Sequence, residues 1–323
     1  MSQAFNLQEM WKNSCFLTRL VATSLNAAES AGMIIKVTTV YQLFNTIFQC
    51  VMTSGDLKII NKDLEGLKKD LQTEADRSAQ AEIEKKLISA FGNKLQIVGE
   101  EELPLSYSQV ISHDAHNEFN LSGKMSDVLL ADKNVPEDLR FLTVEDLIVW
   151  VDPLDGTSEF VRAQNDPTLL DQVTVLIGIT YRGRPIAGVI HQPYYNLLSD
   201  SNVSNITGRS IWGIKGVGVF GIDICKVSPP TGPFAVTTAS HSSELVDTAL
   251  KALQEENLIC SFRRVGGAGF KVLCCLDGAA AYVFASGGCK KWDTAAPEAV
   301  LTAADICLCY TSKCKGFASP TEG

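Results

Sequence analysis

An apolar run that ends in two aspartates constrains this chain more than any other feature of its sequence. Residues 147–151 (Leu-Ile-Val-Trp-Val) predict a buried strand, and Asp152-Pro-Leu-Asp155-Gly-Thr157 follows directly. Two carboxylates at a strand end would face one crevice, which is where open α/β sheets bind ligands. These hard oxygen ligands suit Mg²⁺, and the carbonyl of Leu154 could add another. Taken alone, the same residues suit an ordinary Asp/Pro/Gly turn about equally well.

The composition excludes several classes of function. The chain has 323 residues, 46% hydrophobic and 20% charged, which is typical of a soluble globular protein with one large core or two domains. Its net charge of −9 disfavours binding to nucleic acid or to anionic membranes. If the substrate is an anionic phosphate ester, bound metal cations are the simplest way to offset the repulsion.

The N-terminal sequence and the cysteine content predict a cytoplasmic protein. Residues 1–11 lack the basic and apolar regions of a secretory signal, and polar residues interrupt the apolar stretch 33–52, so no membrane span is expected. Ten cysteines are too sparse for a disulfide scaffold and favour free thiols in a reducing compartment. Cys307, Cys309 and Cys314 lack paired C-x-x-C spacing and a nearby histidine, so no zinc site is expected.

Hydrophobic periodicity predicts helices mixed irregularly with strands. Helices are expected over residues 7–36, from an N-cap at Thr73, and over 243–255, 271–277 and 294–304. Strands are expected at 96–98, 147–151, 173–180, 185–191, 234–238 and 280–285. The polar region 103–143 has no clear period and predicts a long irregular segment with short helices. This order indicates a layered α+β or α/β sandwich, and a boundary near 199–208 would divide it into parts 1–200 and 201–323.

Further acidic residues could complete a metal site, although each also has a plain structural explanation. Glu100, in the run Gly-Glu-Glu-Glu, closes a predicted strand, and taken alone it fits a solvated acidic turn better. Asp76 suits the acid of a capping box with Thr73, and Asp70 suits a solvated loop charge. Asp293 suits the N-cap of a helix that has Pro297 in its first turn.

Two turns that enter helices resemble phosphate sites. Residues 238–244 place hydroxyl groups at a helix N-terminus, where free N–H groups favour anions, although plain capping is about equally probable. Residues 265–271 form a glycine-rich turn that fits neither the dinucleotide nor the Walker fingerprint, so as a lone motif it is weak.

These motifs together resemble the inositol monophosphatase superfamily of magnesium-dependent, lithium-sensitive phosphatases, and within it the branch of 3′(2′),5′-bisphosphate nucleotidases. The resemblance runs with gaps from about Thr18 to Leu301. The motifs that carry it are Leu71-Gln-Thr73…Ala75-Asp76, Val149-Trp-Val-Asp-Pro-Leu-Asp-Gly-Thr157, Val173-Thr-Val-Leu-Ile-Gly178, Ala187-Gly-Val-Ile190, Gln192-Pro-Tyr-Tyr-Asn196, Ser240-His-Ser242, Arg264-Val-Gly-Gly-Ala-Gly269, Ala281-Tyr-Val-Phe-Ala-Ser286 and Gly288-Cys-Lys-Lys-Trp-Asp-Thr294.

The resemblance implies the family's alternating helix and sheet layers and a role for each site residue. It implies two or three Mg²⁺ ions, whose ligands would be Glu100, Asp152, the Leu154 carbonyl, Asp155 and Asp293, with Asp76 supporting a further ion. It implies that Thr157, hydrogen-bonded to Asp70, orients and deprotonates the attacking water. It assigns the nucleotide contacts to Thr238, His241, Gly267 and Lys271.

The chain departs from the family pattern in two places. Residues 37–53 resemble an insertion after the first helix. After Ala303 the family continues with a turn, a strand and a final helix, whereas this chain ends in a different, cysteine-containing segment. Because missing elements would uncover a sheet edge, we expect lower stability than in a full-length relative.

The sequence is compatible with three functions. The first is hydrolysis of the 3′-phosphate of adenosine 3′,5′-bisphosphate to AMP and phosphate, with the sulfated analogue and inositol bisphosphates as further substrates. The second is an inositol-phosphate or sugar-phosphate phosphatase, and the third is a weakly active phosphonucleotide-binding protein with an altered C-terminus. In each case the partner is a small phosphorylated molecule, and a monomer is favoured.

Overall fold

The structure is a computed structural model that describes residues 2–52, 57–103, 123–163, 165–196, 208–224, 231–239, 243–284 and 289–308, with the side chains of 2–6, 40–52, 57–73 and 123 excepted. The predictions for His241 and for the segment after residue 308 lie outside this part. The side chain of Asp70 also lies outside it, although its backbone belongs to a described helix.

Helices occupy both ends of the described chain and link its strands. The α-helices are α1 (Ser2–Asn13), α2 (Phe16–Met52), α3 (Leu57–Phe91), α4 (Gly123–Leu130), α5 (Glu137–Arg140), α6 (Thr157–Arg162), α7 (Glu244–Glu255), α8 (Ala268–Leu276) and α9 (Lys291–Ala303). Short 3-10 helices span Ala131–Asn134, Val144–Asp146 and Pro167–Gln172. Within the described ranges, no helix combines the length and the apolarity that crossing a membrane requires.

The strands form two sheets. They are β1 (Gln96–Gly99), β2 (Leu147–Asp155), β3 (Thr174–Tyr181), β4 (Arg184–Gln192), β5 (Arg209–Ile214), β6 (Gly218–Phe220), β7 (Phe234–Thr238), β8 (Ser261–Val265) and β9 (Ala281–Val283). The first sheet has six strands in the order β1 to β6, and the second has three in the order β8-β7-β9. In the first sheet only β1 and β2 run parallel, whereas both pairs of the second sheet are parallel.

Apolar cores hold the elements in alternating layers. Helices α2 and α3 cover one face of the first sheet with buried side chains such as Leu20 and Ile83. On the other face, Leu176 and its neighbours pack against α8 and α9. Helix α8 also contacts β7 and β9, so it lies between the two sheets, and α7 packs on the second sheet through Val246. Because β3 and β4 are covered on both faces, they are apolar almost throughout.

The predicted elements are present, with corrections at the starts of α2 and α3. The first helix is interrupted at Ser14, because the Asp132 carboxylate accepts a hydrogen bond of 2.9 Å from the Cys15 amide and so caps α2 from far along the chain. The second helix begins at Leu57 instead of near Thr73. Thr73 is therefore no N-cap and Asp76 no capping-box acid, since an apolar spacing upstream carries the helix through both positions.

Strands β5, β6 and β8 were not predicted from the sequence. Strand β8 is mostly exposed and polar, so it has no apolar pattern, and β6 has only three residues. Strands β5 and β6 follow residue 200 and extend the first sheet, because β5 pairs with β4 and β6 pairs with β5. That sheet therefore runs across the predicted boundary. The division into 1–200 and 201–323 stays a prediction.

The predicted insertion at residues 37–53 and the polar region 103–143 both contain helices where they are described. Residues 37–52 continue α2, which packs against α3. In the polar region, the described portion after residue 122 contains the short helices α4 and α5, as predicted.

Candidate active site

A bulge in β2 directs the two aspartates of the motif to the same side of the sheet. The strand continues through the motif, and Asp152 pairs with Leu176 while Asp155 pairs with Thr174. Three steps along β2 therefore oppose two steps along β3, which is the mark of a bulge. In a regular strand residues three apart point to opposite faces, so the extra residue is what brings both carboxylates to the side covered by α8 and α9.

Asp155 is held by the start of α8. Its Oδ1 accepts a hydrogen bond of 2.8 Å from the Ala268 amide, and its Oδ2 accepts one of 2.8 Å from the Gly269 amide. The Thr174 hydroxyl donates a third bond, of 2.7 Å, to Oδ2. A helix N-terminus leaves free N–H groups and partial positive charge, so this carboxylate is both oriented and stabilised.

The glycine-rich turn can approach Asp155 because Gly267 has no side chain. Its φ is +59°, and an added Cβ would lie 2.7 Å from the Gln172 carbonyl oxygen and 3.0 Å from Asp155 Oδ2. The Gln172 side chain accepts a hydrogen bond of 2.6 Å from the Gly266 amide and so fixes the turn from the other side. The turn therefore has a definite role in supporting Asp155.

Asp152 is the most deeply buried acid of the site, at 2% exposure. One of its carboxylate oxygens accepts a hydrogen bond of 3.1 Å from the Leu154 amide. Burial raises the pKa of Asp152 well above its usual value, and the negative charges of Asp155, Glu100 and Asp293 raise it further. These four carboxylates therefore act on one another across a shared region.

Glu100 lies at the exposed end of β1, beside β2. Its amide donates a hydrogen bond of 3.0 Å to the Val151 carbonyl, which continues the parallel pairing as far as the motif. Partial burial of the carboxyl group raises the pKa of Glu100, and a hydrogen bond with Asp152 offsets part of that rise. Glu100 is therefore an exposed residue whose carboxyl group interacts with the motif, and its role as a metal ligand stays a prediction.

Asp293 approaches from the first turn of α9. The helix is capped at Lys290, whose amide donates a hydrogen bond of 2.6 Å to Asp293 Oδ2, so Asp293 is the third helical residue and the prediction of an N-cap was wrong. Pro297 accordingly falls inside the helix, beyond the first turn. Burial raises the pKa of Asp293, the bond from Lys290 lowers it, and the charge of Asp155 raises it again.

The chemistry of the four carboxylates fits a divalent cation. Among the described residues, no lysine or arginine forms an ion pair with Glu100, Asp152, Asp155 or Asp293. Asp152 and Asp155 are buried, and neighbouring charges of one sign require compensation there. Carboxylate oxygens are the ligands that Mg²⁺ prefers. The described side chains do not form a close cluster of three or more metal-binding groups. The site is thus a set of interacting acids and not a closed cage.

Thr157 begins α6 and lies next to the motif. Its hydroxyl donates a hydrogen bond of 3.0 Å to the Leu154 carbonyl, the oxygen that the resemblance assigns to a metal. The predicted bond between Thr157 and Asp70 stays a prediction, since the Asp70 side chain is not described. Asp76 is buried at 6% exposure on α3, the helix that contacts both β2 and α6.

The predicted nucleotide contacts lie near the same turn. Thr238, at 3% exposure, ends β7 opposite Val265, the residue just before the glycines. Lys271 is 5% exposed, and its Nζ donates a hydrogen bond of 2.7 Å to the Gly267 carbonyl. Burial lowers the pKa of Lys271, although nearby carboxylates oppose this. With His241 not described, the assignment of these residues to a nucleotide stays a prediction.

Sequence reasoning missed the residues that support the acids. Thr174, Gln172 and Gln80 each bond to the site's carboxylates or to the turns that carry them. The one local signal for Thr174 is that it is a polar residue at the start of an apolar strand. The spacing of Gln172 and Gln80 in the sequence does not connect them to Asp155 or Glu100.

Comparisons with known proteins identify the family of this chain. A sequence profile of the Inositol monophosphatase family matches residues 36–322. The chain is 42% identical over 288 residues to 3′(2′),5′-bisphosphate nucleotidase 1 of Rattus norvegicus, covering 89% of this chain and 81% of that protein. It is also 42% identical to the Homo sapiens protein of that name over 296 residues, covering 91% of this chain and 83% of the other.

A solved structure shows the same fold. CysQ from Bacteroides thetaiotaomicron, a bacterial member of the inositol monophosphatase family, matches with a TM-score of 0.54 at 19% identity, covering 90% of this chain and 88% of that chain. At this identity the likeness supports the fold alone, and it confirms the predicted layered sandwich. Together with the profile, which spans most of the chain, these similarities show that the protein belongs to the inositol monophosphatase family.

Proposed function

We propose that this chain is a magnesium-dependent phosphatase that hydrolyses the 3′-phosphate of adenosine 3′,5′-bisphosphate to AMP and phosphate. The observation that carries the proposal is the group of four carboxylates at the ends of β1 and β2 and in the first turn of α9. Metal dependence is general to the inositol monophosphatase family. The choice of a nucleotide substrate is supported by the mammalian relatives, which are named as 3′(2′),5′-bisphosphate nucleotidases.

In the proposed site, Glu100, Asp152, Asp155, Asp293 and the Leu154 carbonyl hold the cations. Two or three Mg²⁺ ions are proposed, and Asp76 supports the further one. When bound, Mg²⁺ would offset the charge of the phosphate and acidify the attacking water. Because three hydrogen bonds already orient Asp155, that ligand needs little rearrangement to bind.

The reaction that we propose is a displacement at phosphorus. The water oxygen forms a bond to phosphorus while the bond from phosphorus to the ribose oxygen breaks, and that oxygen takes up a proton. Thr157 and Asp70 orient the water and accept its proton. Thr238, His241, Gly267 and Lys271 hold the nucleotide. Such phosphoryl transfer depends on positioning and charge compensation more than on a covalent intermediate.

A substrate panel tests the proposal. Purified protein is assayed for phosphate release from adenosine 3′,5′-bisphosphate, its sulfated analogue, 5′-AMP, an inositol bisphosphate and fructose 1,6-bisphosphate, with Mg²⁺ titrated. We expect the adenosine bisphosphate to have the highest kcat/KM, with AMP as the chromatographed product. Turnover should stop in EDTA and be inhibited by Li⁺.

The other outcomes are distinct. A higher kcat/KM on the inositol or sugar phosphates would assign the chain to that class of phosphatase. Saturable binding of adenosine 3′,5′-bisphosphate with no Mg²⁺-dependent turnover would indicate a binding protein. Either result would overturn the proposed activity.

We also propose that the enzyme is a cytoplasmic monomer. Six cysteines in the described ranges have free thiols, which agrees with a reducing compartment. Subcellular fractionation tests the location, and light scattering coupled to gel filtration tests the mass of the particle.

A further inference from the structure

The turn that carries Glu100 is fastened to α3 by Gln80, a buried amide outside the predicted site. Gln80 is 1% exposed. Its Nε2 donates a hydrogen bond of 2.8 Å to the Glu101 carbonyl, and its Oε1 accepts one of 2.9 Å from the Glu101 amide. One side chain therefore satisfies both backbone groups of the residue after Glu100.

The amide is also held in a single orientation. The second hydrogen of Nε2 is donated to Glu84 Oε1, at 2.9 Å, one turn further along α3. This carboxylate can only accept from Gln80, so it sets which end of the amide faces the Glu101 carbonyl. Gln80 thus has a defined orientation and three partners.

Gly99, on the other side of Glu100, is in close contact with the same amide. A Cβ built on Gly99 would lie between 2.2 and 2.4 Å from the Oε1, Nε2 and Cδ atoms of Gln80, so a side chain at this position is incompatible with the contact. The Glu100 amide itself is bonded to the Val151 carbonyl on β2. The backbone around Glu100 is consequently fixed to β2 before it and to α3 after it.

We infer that Gln80 is a positioning residue that sets the affinity of the site for its divalent cation by holding the backbone of Glu100. The inference rests on the proposed function, because it takes Glu100 as a metal ligand. Glu100 itself is exposed, and the other described polar contact between this turn and α3 is a half-exposed ion pair of 3.7 Å between Arg77 and Glu101. Loss of the buried Gln80 bonds would therefore leave the backbone of Glu100 less firmly placed before the cation binds. Residues that orient metal ligands typically change metal affinity by about 10- to 100-fold when they are replaced.

Replacement of Gln80 by Met tests the inference, because Met keeps the volume of the side chain and removes all three hydrogen bonds. Mn²⁺ is titrated into metal-free protein and the unbound ion is followed by electron paramagnetic resonance, without substrate. We expect Gln80→Met to weaken Mn²⁺ binding by about 10- to 100-fold. In assays with adenosine 3′,5′-bisphosphate, the Mg²⁺ concentration for half-maximal rate should rise similarly, while kcat at saturating Mg²⁺ changes by only a few-fold.

A second variant and a control separate this role from a loss of stability. Gln80→Glu keeps the shape of the side chain and the acceptor for the Glu101 amide, but it loses the donor to the Glu101 carbonyl, so it should also weaken Mn²⁺ binding. Thr23→Val is the control, since it removes a buried hydrogen bond of 3.0 Å to the Arg19 carbonyl within α2. It should lower the melting temperature and leave Mn²⁺ binding unchanged.

The outcomes distinguish the two proposals. If the unmodified protein binds Mn²⁺ and both Gln80 variants bind it equally well, the role of Gln80 is refuted and the proposed function stands. If the unmodified protein binds no Mn²⁺, both proposals fail. If it binds Mn²⁺ but does not hydrolyse the nucleotide, only the proposed activity fails, and the Mn²⁺ titrations still decide the role of Gln80.

Discussion

Asp152 is a buried carboxylate that faces three other acids, so it is the residue on which the metal assignment depends most directly. We predict that Asp152→Asn lowers kcat/KM for adenosine 3′,5′-bisphosphate by about 10³-fold, the upper range for loss of one electrostatic group from an active site. The fold should persist, because Asn keeps the shape and can still accept the bond from the Leu154 amide. Phosphate release at saturating Mg²⁺ measures the effect.

The same substitution elsewhere on this segment is a matched control. Asp146 precedes β2, is exposed, and accepts its described hydrogen bonds from Thr143. Asp146→Asn should therefore leave kcat/KM within a few-fold of that of the unmodified protein. Near-normal turnover in Asp152→Asn, at any Mg²⁺ concentration, would show that Asp152 is not a required ligand.

Gly267 is a second residue whose identity the site requires. We predict that Gly267→Ala destabilises the protein by about 1–3 kcal/mol, since Ala is strained at positive φ and its Cβ would collide with the Gln172 carbonyl and approach Asp155. Gly183→Ala is the control, because its φ of +75° is also positive but nothing lies within 4 Å of the added Cβ. Urea denaturation measures both variants. Equal losses of unfolding free energy in the two variants would mean that the contacts of an added Cβ at Gly267 do not contribute to the destabilisation.

At the level of elements, the position of α9 depends on two glycines that pair across β3 and β4. Gly178 pairs with Gly188, and both lie beneath the first turns of α9. A Cβ on Gly178 would lie 2.4 Å from the Ala295 Cβ, and one on Gly188 would lie 2.7 Å from the Ala296 carbonyl oxygen. The missing side chains therefore let α9 come close enough to the sheet to bring Asp293 beside the motif.

We predict that Gly178→Ala pushes α9 from the sheet and so affects both stability and metal binding. Overpacking of this kind costs about 1–3 kcal/mol. The Mg²⁺ concentration for half-maximal rate should rise, because Asp293 moves with the helix. Denaturant unfolding and Mg²⁺ titration of the rate measure the two effects.

Ile177→Val is the control for Gly178→Ala. Ile177 is the neighbouring residue of β3 and is fully buried in the other core, against α2 and α3. Its truncation costs about 0.5–1.5 kcal/mol but places no atom against α9. A rise in the Mg²⁺ requirement of both variants would show that general destabilisation, and not the position of α9, weakens the site.

For the whole molecule, the acids of the site link stability to pH, and the proposed site predicts a further link to magnesium. Burial and mutual repulsion raise the pKa of Asp152, Glu100 and Asp293 in the folded protein. A folded state with raised carboxyl pKa values binds extra protons, so these groups make the metal-free protein less stable as the pH rises from about 4, the usual carboxyl pKa, towards neutrality. We predict that Mg²⁺ reverses this loss near neutral pH, by about 2.7 kcal/mol at 100 times its Kd.

Melting curves in EDTA and in Mg²⁺ between pH 5 and 8 measure this linkage. Another group acts in the opposite direction: burial lowers the pKa of His191 to about 3, so its contribution makes the protein more stable as the pH rises towards 6.5. The comparison is therefore the difference between the unmodified protein and Asp152→Asn, which cancels the shared contributions. An equal response of both proteins to pH and to Mg²⁺ would contradict the prediction.

Local patterns were sufficient for most of the secondary structure. The apolar runs at β2, β3, β4 and β7 are visible in the sequence because those strands are buried on both faces. Strand β8 was missed because it is exposed, and the break before α2 was missed because its cap is contributed by Asp132, 117 residues away. A contact at that separation leaves no trace in a local pattern.

Residue types and their order were enough to identify the family to which the chain belongs, and to predict acids that the structure places within reach of one another. Carboxylates at the ends of apolar runs are local features, and their chemistry follows from their type. How they are held depends on contacts between distant segments: the bulge in β2, the start of α8 on Asp155, the glycine pair under α9 and the amide of Gln80 beside Glu100. Such contacts arise only when the layers pack, because each joins residues that are far apart in the chain.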